Sequence, residues 1–199
     1  MEFTILNSWD GKKDGHDPVT ITLQPDSEDR GLVLRVKAPF YDMPPSPRVE
    51  PCQSCPQLWD YEVVEVFFLN DATQQYLEVE LCPHGQHLVL LLEGCRNTKQ
   101  SGLPLEFRAT IDGSRWNGEA LIPWCYLPPS PTRFNAYSIH GECQARIYRA
   151  LHPVPGCEPD FHRLHFFGNL DLRDMMHEEW IQPISPLWST PPEHTPESC

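Results

Sequence analysis

Apolar and polar positions alternate with a period of two through much of this chain, a period that predicts β-strands. Residues 58–81 read LWDYEVVEVFFLNDATQQYLEVEL. From Val63 to Leu69 the run is apolar except for Glu65, whereas Tyr76, Glu78 and Glu80 alternate with Leu77, Val79 and Leu81. Asn70-Asp71-Ala72-Thr73-Gln74 between them supplies turn chemistry. The stretch therefore predicts a β-hairpin whose first strand is central and whose second has one wet face. An ionised carboxylate inside an apolar strand is costly unless something pairs with it, so Glu65 is the residue that a functional account has to explain.

The same reading along the chain predicts strands over residues 19–23, 31–38, 63–69, 76–81, 88–93, 105–111, 115–122, 134–140 and 147–151, about nine in all. Asp112-Gly113 between two of them is a strong hairpin signal. Residues 39–56, with six prolines, read as a surface loop. One helix is expected, over residues 170–180: Leu172, Met175, Met176 and Trp180 share a face at helical spacing, with Asp171 placed to cap it. Short strands, Pro/Gly turns and scarce helix predict an all-β fold, an antiparallel β-sandwich spanning residues 1–184. A proline-rich, flexible tail follows over residues 185–199.

Composition sharpens this picture. A chain of 199 residues with 40% hydrophobic content can bury one core. No run approaches the roughly 18 apolar residues of a membrane span, and no secretory signal is visible, so a cytoplasmic or nuclear location is expected. The formal net charge of -13 argues against nucleic acid and anionic membranes as partners. Eight cysteines without a signal peptide are expected to be free thiols.

Cys52/Cys55, Cys82/His84/His87, His140/Cys143 and His162/His165 have zinc-like spacing, but tetrahedral zinc needs four converging ligands, and none is expected. Asp10, Asp14 and Asp17 could supply oxygens to a structural calcium, but their spacing is not that of the calcium loop, and a solvated acidic loop is the expected reading; no cofactor is expected. A glycosidase needs two carboxyls about 5–5.5 Å or about 6.5–9.5 Å apart, which Glu65, Glu78 and Glu80 on adjacent strands can approach. No serine-nucleophile elbow, phosphate loop or dinucleotide fingerprint accompanies them, and catalysis is the weaker alternative.

Three motifs together resemble the family 9-like carbohydrate-binding modules, also called DOMON-like. They are WDYEVVEVFFLND followed by YLEVELCPHG, the run Trp116-Asn117-Gly118-Glu119-Ala120-Leu121-Ile122-Pro123-Trp124, and the opening Trp9-Asp10-Gly11. The whole chain also resembles an uncharacterised vertebrate family whose human member is named by a chromosome-4 open reading frame. The first resemblance implies a sandwich that binds a carbohydrate or polyol on its concave sheet face. Aromatic platforms there stack on sugar C–H faces, and fixed polar groups meet the hydroxyls.

Trp59 and Glu65 match a pattern in which a tryptophan lies six residues before a ligand-binding glutamate. With Tyr61 on the same side of the strand, and Tyr76 and Glu78 beside them, they form the expected ligand face. Arg96 and Asn135 are its hydrogen-bond donors by analogy, and Trp124, a further expected ligand residue, or Trp116 has to face Trp59 across one cleft if the face binds sugar. The structural alternative pairs Glu65 with Arg96 or Arg108 merely to fix register. The functional alternative is a protein-interaction module acting through the proline-rich loop or the tail.

Overall fold

The computed structural model describes residues 1–189. Thirteen strands form two antiparallel sheets. In chain order they are β1 (Glu2–Ile5), β2 (Asn7–Ser8), β3 (Val19–Pro25), β4 (Gly31–Pro39), β5 (Val63–Asn70), β6 (Gln75–Leu81), β7 (His87–Glu93), β8 (Thr98–Ser101), β9 (Glu106–Asp112), β10 (Arg115–Pro123), β11 (Arg133–His140), β12 (Ile147–Ala150) and β13 (Gly168–Asn169). The smaller sheet runs β1-β3-β4-β10-β9, and the larger β2-β12-β11-β5-β6-β7-β8, with β13 pairing β11. All nine expected strands are present. The others are short edge or bridging pieces, of two to four residues, below the length at which alternation can be read.

The sandwich core forms where the two inner faces meet. Val64, Val66 and Phe68 of β5 and Leu77, Val79 and Leu81 of β6 lie there against Ile21, Leu34, Val36 and Ile122 of the smaller sheet. This is the inner face that period two assigns. Gly118 in β10 makes room for the aromatic rings of that sheet. A Cβ there would come within 2.7 Å of the Trp116 ring and 3.1 Å of Phe107.

The other face of the larger sheet departs from expectation. It is not wet: Tyr76, Glu78 and Glu80 are all buried. A second hydrophobic cluster lies on it, built from Val63, Phe67, Leu69, Leu88, Leu90, Leu92 and Tyr137. Leu58 from one covering loop and Leu164 and Phe167 from another close over it. Phe161 stacks on Tyr137 with ring centroids 3.8 Å apart. These covering segments have no regular period, so nothing in the alternation of β6 reveals them.

The expected helix over residues 170–180 is a single 3-10 turn, Leu172–Met175. Asp171 caps it by accepting the Arg173 N–H at 3.0 Å. Met176 is already extended, with φ -102 and ψ 161, which ends the turn. Leu172, Met175, Met176 and Trp180 still pack on the sandwich core, so their spacing reports one-sided burial rather than helix. The chain stays docked beyond residue 184: Ser185 donates to the Cys125 carbonyl at 2.6 Å, and Trp188 is buried in the core. The rest of the expected tail lies outside the described residues.

No helix among the described residues is long and apolar enough to cross a membrane. The seven cysteines among them are free thiols.

Candidate functional site

A cleft of about 370 Å³ opens on the outer face of the larger sheet. Its walls carry Trp59, Tyr148 and Phe161, with Arg96 and Arg146 at the sides and Glu65 and Glu78 within. Trp59 is 41% exposed, a large aromatic surface open to solvent. It stands on a 3-10 turn, Leu58–Asp60, rather than on the strand itself. Leu58 buries its side chain in the outer cluster and so leaves Trp59 facing the cleft.

The turn is fixed by Arg146. Its guanidinium donates to the carbonyls of Asp60 and Gly141, both at 3.0 Å, to that of Tyr61 at 3.3 Å, and to that of Trp59. A planar fork can meet several oxygens at once, which suits arginine to this post.

The carboxyl groups are unusual. Glu65 and Glu80 are direct register partners across β5 and β6, and Glu78 is paired with Phe67 one pleat away. All three are at least 95% buried, Glu80 completely. Oxygens of the three lie within 4.8 Å of one another. Burial, reinforced by the Glu78 carboxyl, raises the Glu65 pKa well above the carboxylate range, although Arg146 opposes this. Burial, then Glu65 and Glu78, does the same to Glu80. Burial pushes Glu78 up to about 8, against the pull of Arg96.

His162 lies beside Glu78, Nε2 to carboxylate oxygen 4.0 Å. Burial, then the charge of Arg96, holds its pKa down at about 4, so at neutral pH the two face each other uncharged. Its Nδ1 hydrogen-bonds the Tyr76 hydroxyl at 2.7 Å, which also accepts the Arg96 backbone N–H at 3.1 Å.

The expected site residues divide into three groups. Trp59, Glu65, Glu78 and Arg96 are brought together around the cleft. Tyr61 and Tyr76 belong to the same outer face but pack into its apolar cluster. Tyr76 is fully buried and orients His162 and the Arg96 backbone from beneath.

Asn135 is on that face too, but away from the cleft. Its amide donates to the Tyr137 hydroxyl and the His152 carbonyl and accepts from the N–H groups of Ala136 and His152. That leaves no free donor for a ligand. Trp124 is in the sandwich core instead, 4.9 Å from the Trp180 ring, with Nε1 donating to the Asp29 carbonyl at 2.9 Å. It cannot face Trp59. The wall opposite is Tyr148 and Phe161, which the sequence reading missed. Tyr148 is on a strand whose alternation was visible, whereas Phe161 and His162 come from an aperiodic loop.

Glu65 pairs with neither expected arginine. Arg96 binds Asp160 at 2.8 Å, and Arg108 binds Glu119 on the other sheet. Asp10, Asp14 and Asp17 are likewise dispersed among separate partners, Lys12, Arg149 and Arg115. Among the described residues the set of three acids, cysteines or histidines placed to share an ion is Glu65, Glu78 and Glu80.

Fold and site together define an antiparallel β-sandwich with a loop-covered cleft on the outer face of its larger sheet. The same fold occurs in a solved structure described as "a putative carbohydrate-binding protein" from Bacteroides uniformis. The two superpose with a TM-score of 0.63 at 16% identity, covering 85% of this chain and 84% of that one. No protein-family model matches the sequence.

The chain belongs to the UPF0462 family. It is 51% identical over 194 residues to the human UPF0462 protein C4orf33, covering 94% of this chain and 96% of the human protein. The Mus musculus homolog is also 51% identical, and the Danio rerio homolog 50%.

Proposed function

We propose that this protein is a non-catalytic binding module that takes a small carbohydrate or polyol in the outer cleft, in the manner of the family 9-like, DOMON-like modules that its motifs resemble. The observation that carries the reading is the union, in one cleft, of exposed Trp59 with Tyr148 and Phe161 and with the buried polar groups Glu65 and Glu78. Aromatic rings offer apolar faces to sugar C–H groups, and carboxyl oxygens offer fixed hydrogen-bond partners to hydroxyls.

The volume is near the lower end of the roughly 300–1,000 Å³ typical of small-molecule sites, so the occupant is a mono- or disaccharide rather than a long chain. The carbohydrate-binding description of the Bacteroides uniformis protein is consistent with this reading.

Calorimetric titration with a panel of mono- and disaccharides and sugar alcohols tests it. At least one member is expected to bind saturably, and Trp59→Ala is expected to abolish that binding. An absence of saturable binding across the panel overturns the reading.

A further inference from the structure

Two independent observations meet beneath the cleft. The first is the cluster itself: three glutamates with oxygens within 4.8 Å of one another, in an otherwise apolar patch flanked by Val63, Phe67, Leu88 and Leu90. Like charges set directly opposite on neighbouring strands are destabilising, and Glu65 and Glu80 stand in that relation.

The second is the state of Glu80. Both its carboxylate oxygens are sealed from solvent and neither has a hydrogen-bond partner among the described residues. Buried polar groups are normally satisfied, and one left bare calls for an explanation such as a missing ion. Elsewhere this protein satisfies its acids. Asp14 meets Arg149 at 2.7 Å, Glu119 lies between Arg35 and Arg108, and Glu62 accepts the Tyr41 N–H. The cations closest to the triad are already engaged, Arg146 with backbone carbonyls and Arg96 with Asp160.

We propose that Glu65, Glu78 and Glu80 bind a hard divalent cation, calcium in preference to magnesium, at the floor of the cleft. The donor set is oxygen alone, which selects hard cations over zinc or copper. Three carboxylates converging from the protein favour calcium, whereas magnesium is usually held by one or two carboxylates and keeps several of its waters. Glu65 and Glu78 line the cleft while Glu80 lies behind them, which gives the ion a route in and leaves room for water in its remaining positions. A cation takes carboxylates in their ionised form, so its uptake is accompanied by proton release wherever a ligand carries a proton. The site stands whether or not the cleft takes a carbohydrate.

The test is calorimetric titration of chelator-stripped full-length protein with calcium chloride, in the absence of any sugar, repeated with magnesium and manganese chloride and in buffers of different ionisation enthalpy. One saturable calcium site per chain is expected, with buffer-dependent heat reporting proton release and with a calcium-dependent rise in the melting temperature. Glu80→Gln, nearly isosteric and uncharged, is expected to melt cooperatively and to weaken calcium binding by about tenfold or more. Glu119→Gln on the other sheet is expected to leave it unchanged. Should Glu80→Gln fail to fold, Glu65→Gln serves in its place.

No saturable binding of any of the three ions up to about 10 mM, well above the dissociation constants of weak calcium modules, overturns the proposal. So does binding that survives the glutamine substitution, and tighter binding of magnesium than of calcium overturns the preference for calcium.

Discussion

Glu65 and Glu80 face each other across the β5–β6 pairing in the middle of the larger sheet, 2% and 0% exposed. Burial first, and then their mutual proximity, make ionisation of Glu80 unfavourable. Without a cation, burial and the neighbouring carboxyls favour its protonated form, and folding then carries the cost of protonating a group that is ionised in the unfolded chain.

Glu80→Gln removes that cost. The amide and the protonated carboxyl have similar shape and similar unmet hydrogen-bonding capacity, so the difference between them is mainly the protonation free energy. The variant is expected to be more stable than the parent by on the order of 1–3 kcal/mol at neutral pH. Urea denaturation in the presence of a chelator measures this. A loss of stability would mean that Glu80 has a favourable partner in the cation-free protein.

The same chemistry sets a pH dependence whose sign is unusual for so acidic a chain. Glu78, held at about 8 by burial, binds a proton in the folded state that the unfolded chain, at 4.5, has already released. A raised carboxyl pKa favours the fold at low pH and loses that contribution as pH climbs towards the folded value. His140 and His162, both held down at about 4 by burial, work in the opposite direction, but only below their unfolded value of 6.5. His87 and His152 are also lowered by burial and fall silent in the same range. The histidine contribution has faded by about pH 7, half a unit above the unfolded value, while the carboxyl contribution still falls up to about pH 8. Cation-free protein is expected to lose on the order of 1–3 kcal/mol of stability between pH 7 and 8. Denaturant midpoints at a series of pH values test it, and a flat or rising profile would contradict it.

How far the chain could be read in advance depended on what each position reports. The inner face was legible residue by residue, because Val64, Val66, Phe68, Leu77, Val79 and Leu81 face one continuous core and a slip of one residue would expose them all. The Asp112-Gly113 turn was legible for a local reason, since Gly113 adopts a φ of 57 that glycine accepts without strain. The outer face was only half legible. Alternation put Glu65, Glu78 and Glu80 on one side but could not show that Leu164, Phe167 and Phe161 fold over them, because those residues sit in a segment without a period. Trp124 misled for a similar reason: its motif is visible in sequence, but its burial depends on Asp29 and Trp180, distant partners that no local pattern announces.

Gly118 offers a direct check on the sandwich core. The added Cβ of alanine would stand 2.7 Å from Cζ3 of Trp116 and 3.1 Å from Cε2 of Phe107. Trp116 is 1% exposed and has little room to move. Gly118→Ala is expected to cost about 1–3 kcal/mol through overpacking, read as a lower urea midpoint with an unchanged slope. A neutral result would mean that the indole shifts freely.

The last relationship ties binding to stability through two residues that touch. Arg146 donates to the Trp59 carbonyl and to those of Asp60, Tyr61 and Gly141, whereas the Trp59 indole contributes an exposed face to the cleft. Substituting each should therefore produce different signatures. Trp59→Ala removes the ring but leaves the turn, so stability is expected to stay within about 0.5 kcal/mol of the parent, as for other exposed positions, while carbohydrate affinity is lost. Arg146→Lys keeps the charge but not the fork, leaving carbonyls of the turn unmet. It is expected to cost about 1–2 kcal/mol in stability and to weaken carbohydrate binding only in part, through looser placement of Trp59. Urea midpoints and calorimetric affinities on the two variants separate the roles. If Trp59→Ala destabilises the protein as much as Arg146→Lys does, Trp59 is a cover for the sheet and not a platform for a ligand.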